Sequence, residues 1–206
     1  MIKVHRFVVS PLATNCYVLH DEKTNKALII DPGEKSALMD DFLSLVSVQY
    51  ILLTHGHIDH IGGVKYYKKK FGGKVLAGIN EKKYFQNEAL NGAQYLGIPY
   101  DVFECDEFMQ EGDVLDFPSP IEIYHTPGHT PGGISFFLPE EKIVFTGDTL
   151  FQYSIGRTDL PGGDIDQIIQ SIKLKLFVLP QETEVFPGHM SKTTVEAEKA
   201  GNPFIT

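Results

Sequence analysis

Four side chains that commonly ligate metal ions fall within six consecutive positions of this chain. The segment T-H-G-H-I-D-H (54–60) carries His55, His57, Asp59 and His60. On a helix, His57 would point away from His55 and Asp59. On a strand, those three would share a face and His60 would point to the other side. We therefore expect a strand to end near Thr54 and a helix to begin near Asp59, so that the four side chains converge from the turn between them.

Three later segments each place a ligand-type side chain just after a predicted strand. These residues are His129 in HTPGHTPGG (125–133), Asp148 in FTGDTL (145–150) and His189 in FPGHM (186–190). Proteins of the α/β class gather their functional side chains in loops at the carboxyl ends of strands. We therefore expect one rim of the fold to carry all seven side chains.

Seven ligands exceed the needs of one ion. A catalytic zinc takes three protein ligands and keeps one position open, so two ions that share one carboxylate would use seven residues. The set contains five histidines, two aspartates and no cysteine. This composition favours two divalent ions per chain, with zinc first and iron or manganese as alternatives.

The hydrophobic pattern predicts an α/β (α+β) protein in which helices separate groups of strands. Strands are expected at residues 2–9, 15–20, 27–31, 50–54, 74–78, 114–117, 121–125, 133–138, 142–146 and 183–187. Helices are expected at residues 34–46, 59–71 and 80–90, and after the N-cap Asp164. Residues 91–113 follow no regular pattern. Because no linker or repeat interrupts the chain, we expect a single domain over residues 1–206.

The formal net charge of −9 argues against a nucleic-acid partner, which requires clustered lysine and arginine. No apolar window is long enough to span a bilayer, and the first residues lack the features of a signal peptide. The two cysteines, Cys16 and Cys105, lack the spacing of a metal site or of a disulfide framework. We therefore expect a soluble, cytoplasmic protein without a membrane partner; the sequence does not define its oligomeric state.

The segment THGHIDH, followed in order by the three later ligands, resembles the metallo-β-lactamase superfamily over nearly the whole chain. The resemblance implies a four-layer αβ/βα sandwich, in which two mixed β-sheets are flanked by helices and carry a dinuclear site at one edge. It assigns His55, His57 and His129 to one metal. It assigns Asp59, His60 and His189 to the other metal, with Asp148 as the bridge between the two.

Four further segments resemble the glyoxalase II-like (hydroxyacylglutathione hydrolase-like) group of that superfamily. They are IIDPG (29–33), HTPGHTPGG (125–133), FTGDTLF (145–151) and FPGH (186–189). The chain ends shortly after His189, so the resemblance is to a short form without the C-terminal helical domain of full-length glyoxalase II enzymes. In this group the aspartate of the D-P-G turn lies near the metal histidines. Asp31 is therefore either a support for those histidines or a turn former before Pro-Gly.

The segment IGRTDLPGGD (155–164) replaces the one in which full-length glyoxalase II enzymes carry a glutathione-binding lysine. Arg157 is a candidate to bind a substrate carboxylate with both arms of its guanidinium group. The alternative is a surface arginine held in a salt bridge. The string GRTD also resembles persulfide dioxygenases, so the resemblance leaves the reaction open.

The leading expectation is metal-dependent hydrolysis of a small-molecule thioester such as S-lactoylglutathione, by a hydroxide shared between the two metals. Asp148 would bridge the metals, and Asp59 would orient the hydroxide. A thiol, with a pKa of ~8.5, leaves without a dedicated general acid. The alternative is a persulfide dioxygenase with one non-haem iron held by His55, His129 and Asp148. A lactonase or a nuclease of the same superfamily is less favoured.

Overall fold

The computed structural model describes residues 1–205, which form two six-stranded sheets, a short hairpin and surrounding helices. The strands are β1 (Ile2–Val9), β2 (Thr14–Asp21), β3 (Lys26–Ile30), β4 (Ser47–Leu53), β5 (Lys74–Gly78), β6 (Glu107–Met109), β7 (Val114–Leu115), β8 (Ile121–His125), β9 (Ile134–Leu138), β10 (Ile143–Gly147), β11 (Leu150–Phe151), β12 (Ser154–Ile155), β13 (Glu184–Pro187) and β14 (Thr193–Thr194). The α-helices are α1 (Ala37–Leu43), α2 (Ile58–Ile61), α3 (Val64–Phe71), α4 (Glu88–Asn91), α5 (Ala93–Leu96), α6 (Ile165–Ser171) and α7 (Val195–Gly201). Each predicted strand is present, with its ends within three residues of the expected positions.

Both sheets mix parallel and antiparallel pairs. The first has the order β1-β2-β3-β4-β5-β6; it is antiparallel from β1 to β3 and parallel from β3 to β6. The second has the order β14-β13-β10-β9-β8-β7 and is antiparallel except where β10 pairs with β13. Strands β11 and β12 form a separate hairpin.

Three hydrophobic clusters define the layers of the fold. Successive side chains of a strand point to opposite faces, and β3 illustrates this because Ile29 packs towards α1 and α3 whereas Leu28 packs between the sheets. The second sheet contributes Phe136 and Phe145 to the same central cluster. Its outer face packs Val144 against the helical segment that follows α6. The arrangement is the predicted αβ/βα sandwich of two mixed sheets with helices outside.

Two predicted helices differ from the observed ones. The helix expected at 59–71 is interrupted at Gly63, because the N–H of Gly63 donates to the carbonyl of Pro32 at 2.8 Å instead of continuing a helix. The single helix expected at 80–90 is wrong. Asn87 adopts an extended conformation there, and its side chain accepts the N–H groups of Ala89 and Leu90 to cap α4. Two 3₁₀ turns, Ile79–Glu81 and Tyr84–Gln86, precede that cap.

The segment 91–113, which the sequence left unassigned, forms α5 and the edge strand β6. Helix α7 also lacked a sequence signal, because it buries little apart from Val195 and Glu198. Across residues 1–205, no helix is both long and apolar enough to cross a bilayer.

The directions of five strands determine where the predicted site lies in the fold. Strands β3 and β4 are parallel, so their carboxyl ends meet at one edge of the first sheet. Strands β8 and β10 are both antiparallel to β9, and β13 is parallel to β10. The carboxyl ends of these three strands therefore share one edge of the second sheet. The loops that follow these five strands, together with helix α2 after β4, carry the seven predicted ligands and Asp31.

Candidate metal centre

The seven predicted ligands lie together where the described edges of the two sheets meet. They form two groups joined by one carboxylate. Within each group, one ligand atom from every residue lies within 4.8 Å of the others. The groups are His55, His57 and His129, and Asp59, His60 and His189. These groups match the two sets that the resemblance implies for two metals.

Asp148 lies between the two groups. Its Oδ2 atom is 3.5 Å from His129 Nε2 in the first group and 3.5 Å from His189 Nε2 in the second. Its Oδ1 atom is 3.3 Å from His60 Nε2. A carboxylate in this position can offer one oxygen to each of two ions.

Hydrogen bonds around Asp31 and Thr54 determine which nitrogen of His55 faces the site. The Thr54 hydroxyl donates to Asp31 Oδ2 at 2.6 Å, so its oxygen is free to accept from His55 Nδ1 at 3.1 Å. The N–H of Thr54 also donates to Asp31 Oδ1 at 2.8 Å. This network assigns the proton of His55 to Nδ1 and leaves the lone pair of Nε2 available to a metal.

The same logic applies to two further histidines. His60 Nδ1 donates to Asp31 Oδ2 at 2.9 Å, and His129 Nδ1 donates to the carbonyl of Arg157 at 2.7 Å. Their Nε2 atoms therefore face the site. In the described chain, the Nε2 atoms of His55 and His60 are buried without a hydrogen-bond partner. Buried polar atoms of this kind require a partner, and inward-facing imidazole nitrogens beside carboxylates fit a divalent metal.

The second group is supported from β2. The Thr14 hydroxyl donates to Asp59 Oδ2 at 2.7 Å, and His189 Nε2 lies 3.2 Å from the same oxygen. Asn15 donates from its side-chain nitrogen to the carbonyls of Pro187 and Met190, at 2.9 Å each. It thereby spans the turn that carries His189.

These supports from β2 were missed in the sequence, because the TNCYVL run reads as an ordinary strand. The available signal was the pair of polar residues, Thr14 and Asn15, at the start of that run. Both side chains are buried.

Burial and neighbouring charges divide the ligands into two electrostatic types. Burial lowers the pKa of His57 to about 3 and that of His55 well below its usual value. Burial also opposes protonation of His60, but the carboxylates of Asp59 and Asp148 outweigh it and raise the pKa of His60. Conversely, burial raises the pKa of Asp148, but His60 outweighs it and lowers that pKa to about 2. His55 and His57 are therefore neutral before metal binds, whereas His60 holds a proton that a metal must displace.

The side chain of Arg157 lies outside this cluster. It is 62% exposed, and its Nε and Nη2 atoms donate to the two carboxylate oxygens of Asp159 at 2.7 Å each. Its backbone carbonyl, in contrast, supports His129. The contact of the guanidinium group with substrate therefore stays a prediction. A substrate carboxylate that bound there would replace the carboxylate of Asp159.

The chain is similar to known proteins in sequence and in structure. A hydroxyacylglutathione hydrolase of Haemophilus influenzae, GloC, is 43% identical over 202 residues, which cover 96% of this chain and 95% of the relative. The crystal structure of the BLEG-1 B3 metallo-β-lactamase has a TM-score of 0.94 and 36% identity, covering 99% of this chain and 100% of the other. The crystal structure of TTHA1623 in a di-iron-bound form has a TM-score of 0.87 and 32% identity, covering 98% and 100%.

The sequence profile of the metallo-β-lactamase superfamily matches residues 9–189, which include all seven predicted ligands. The fold, the arrangement of the ligand side chains and the family profile agree. This chain belongs to the metallo-β-lactamase superfamily.

Proposed function

We propose that this protein is a binuclear metallohydrolase that cleaves small-molecule thioesters, with S-lactoylglutathione as the first substrate to test. The observation that carries the proposal is the pair of three-residue ligand groups with Asp148 between them. The name of the Haemophilus relative, hydroxyacylglutathione hydrolase, supports the substrate class.

Two bound divalent ions would generate a nucleophile from water at neutral pH and polarise the thioester carbonyl. The residues of the chain determine where this happens. Asp148 would hold the two ions at a fixed separation. Asp59, fixed by the Thr14 hydroxyl, would orient the nucleophile towards the carbonyl carbon. The leaving group would depart as a thiolate, whose conjugate acid has a pKa of ~8.5, and would take its proton from solvent, so no general acid is needed.

Arg157 is the proposed contact for an anionic substrate group, such as a carboxylate of glutathione. Its guanidinium group already binds a carboxylate through two hydrogen bonds, that of Asp159. A substrate carboxylate would take the same two-point geometry. This contact would affect substrate affinity rather than the chemical step.

Zinc is the proposed metal, and iron or manganese is the alternative. Imidazole and carboxylate ligands suit all three metals. The related TTHA1623 was crystallised in a di-iron-bound form, so a chain of this architecture can hold two irons. Bound-metal analysis is therefore part of the functional test.

The second candidate is a persulfide dioxygenase with a single iron. The observation that favours it is that His129 Nε2 lies 3.5 Å from Asp148 Oδ2 and shares a ligand group with His55. Two histidines and one carboxylate on one face of an ion are the usual ligands of an oxygen-activating iron.

Metal analysis and parallel assays separate these functions. The purified protein would be analysed for zinc, iron and manganese. It would then be assayed for hydrolysis of S-lactoylglutathione, oxygen uptake with glutathione persulfide, and hydrolysis of a chromogenic cephalosporin. We expect about two metals per chain and turnover of the thioester. One iron per chain with oxygen uptake, or a doubly loaded protein that leaves the thioester intact, would overturn the proposal.

A further inference from the structure

Glu81 is a buried carboxylate outside the ligand set. Its exposure is 0%. Its Oε2 atom accepts the N–H of Gly56 at 2.6 Å, and its Oε1 atom accepts the N–H of Gly132 at 2.8 Å. Gly56 separates His55 from His57, and Gly132 follows His129 in the HTPGHTPGG segment. One carboxylate therefore joins the two loops that supply the first ligand group.

The two loops belong to different sheets. The loop with Gly56 follows β4 of the first sheet, and the loop with Gly132 connects β8 to β9 of the second. A backbone hydrogen bond from the N–H of Ile134 to the carbonyl of Thr54, at 2.8 Å, also links these regions. The sheets would therefore stay joined without Glu81, and His57 Nδ1 would still lie 2.8 Å from His129 Nε2, but the backbone of the turn between His55 and His57 would lose its link to the second loop.

Close packing around the carboxylate explains the small residue at both contact points. A Cβ atom on Gly56 would lie 2.9 Å from Glu81 Oε2 and 2.4 Å from Tyr84 Cβ. A Cβ atom on Gly132 would lie 2.7 Å from Glu81 Oε1 and 2.6 Å from Glu81 N. All four separations are shorter than real Cβ contacts, so each glycine allows the backbone to approach the carboxylate.

A buried carboxylate is costly unless it is hydrogen-bonded. Burial raises the pKa of Glu81 to about 7, and the Thr130 side chain and the N–H groups of Gly132 and Gly56 oppose that shift. A glutamine of the same shape has only one acceptor oxygen. It could satisfy one of the two N–H groups, and its own NH₂ would face the other.

We propose that Glu81 is a positioning residue that holds His55, His57 and His129 in the geometry of a three-histidine metal site. This inference rests on the proposed function, because it assumes that these histidines bind a metal. Supports of this kind typically change metal affinity by about 10–100-fold when removed. No residue of the second ligand group donates a hydrogen bond to Glu81, so the affinity of that group for metal should change little.

The test compares Glu81→Gln with the matched control Glu198→Gln. Glu198 is also buried, at 1% exposure, and also accepts a backbone N–H, from Tyr153. Its other partners are Thr193 and Asn202. The control therefore removes a buried carboxylate without touching the loops of the first ligand group.

Metal affinity at both positions would be measured at pH 8 by competition with a chromogenic chelator, alongside thermal unfolding of the metal-free proteins. We expect Glu81→Gln to weaken the first position by at least about tenfold, and the second by less than about threefold. In the cobalt-substituted Glu81→Gln protein, the visible absorption of the ion at the first position should change. Glu198→Gln should bind metal as the unmodified protein does. Equal metal affinities in the two variants would overturn the inference.

A measurement on the unmodified, metal-free protein decides the matter if Glu81→Gln does not fold. The N–H groups of Gly56 and Gly132 should exchange with solvent as slowly as those of β4, because the carboxylate already holds them. Fast exchange at both glycines would refute the positioning role. If the unmodified protein binds no metal, the proposed function fails, and this exchange measurement still reports on Glu81.

Discussion

The backbone next to His189 passes so close to two other proposed ligands that a single methyl group should disturb the centre. A Cβ atom on Gly188 would lie 2.3 Å from Asp148 Oδ1 and 2.7 Å from His60 Cε1. A carbon and an oxygen in ordinary contact lie about 3.3 Å apart. Gly188→Ala therefore requires either the Asp148 carboxylate or the His189 turn to move by roughly 1 Å.

The expected magnitude follows from this displacement. Moving a group in an active site by about 1 Å can lower the rate by about 10²-fold. A factor of 10² corresponds to ~2.7 kcal/mol of lost transition-state stabilisation. We therefore expect kcat/KM for the thioester to fall by about 10²-fold and the bound metal to fall below the level of the unmodified protein.

The control is Gly201→Ala at the end of α7. A Cβ atom there would meet only the exposed ring of Tyr153, at 3.0 Å. This variant should keep kcat/KM within about twofold and leave the free energy of unfolding unchanged or raised by up to ~1 kcal/mol. Steady-state kinetics, metal analysis and circular dichroism would be run on both variants. A folded Gly188→Ala protein with full metal content and kcat/KM within about threefold would refute the steric reasoning.

Three further predictions concern the bridge, the substrate contact and the dependence on pH. Asp148→Ala should lose metal and nearly all hydrolysis; a variant that kept both metals and full turnover would refute the bridging role. Arg157→Ala should raise KM for an anionic thioester by about fivefold with little change in kcat. Asp159→Asn should lower KM, because it frees the Arg157 guanidinium group to bind substrate. Unchanged KM values in both variants would show that Arg157 forms only a surface salt bridge. Neighbouring carboxylates raise the pKa of His60, so metal must displace its proton, and affinity at neutral pH should rise as pH increases. Calorimetry of metal binding in buffers of different ionisation enthalpy would detect the released proton, and affinity independent of pH would contradict this assignment.

The clustering of the seven proposed ligands could be predicted because the residue types that suggest it are local in the sequence. His55, His57, Asp59 and His60 lie too close together for any single regular element to explain them. The strand-end pattern then predicted His129, Asp148 and His189, and strand direction brings them to the same edge. The strands themselves were predictable, since buried strands in layered sheets appear as short apolar runs bounded by turn residues.

The supports of the site depend on contacts distant in sequence, which no local pattern contains. Glu81 resembles one more polar residue of a helix, and its partner Gly132 is 51 residues away. Thr14 resembles the first residue of a strand, and its partner Asp59 is 45 residues away. The helix expected around Glu81 is absent because Asn87 uses its side chain to start a new helix. Hydrophobic periodicity does not report a capping interaction of that kind.

The layered fold has a consequence for metal exchange. Each proposed ion would take ligands from loops of both sheets: His55 and His57 from the first and His129 from the second, with a similar division at the other position. Separating the two sheets would break both coordination spheres at once, so the ions would act as cross-links across the central hydrophobic layer. Opening of the sandwich would then require loss of metal, so the loaded protein should unfold more slowly than the metal-free protein.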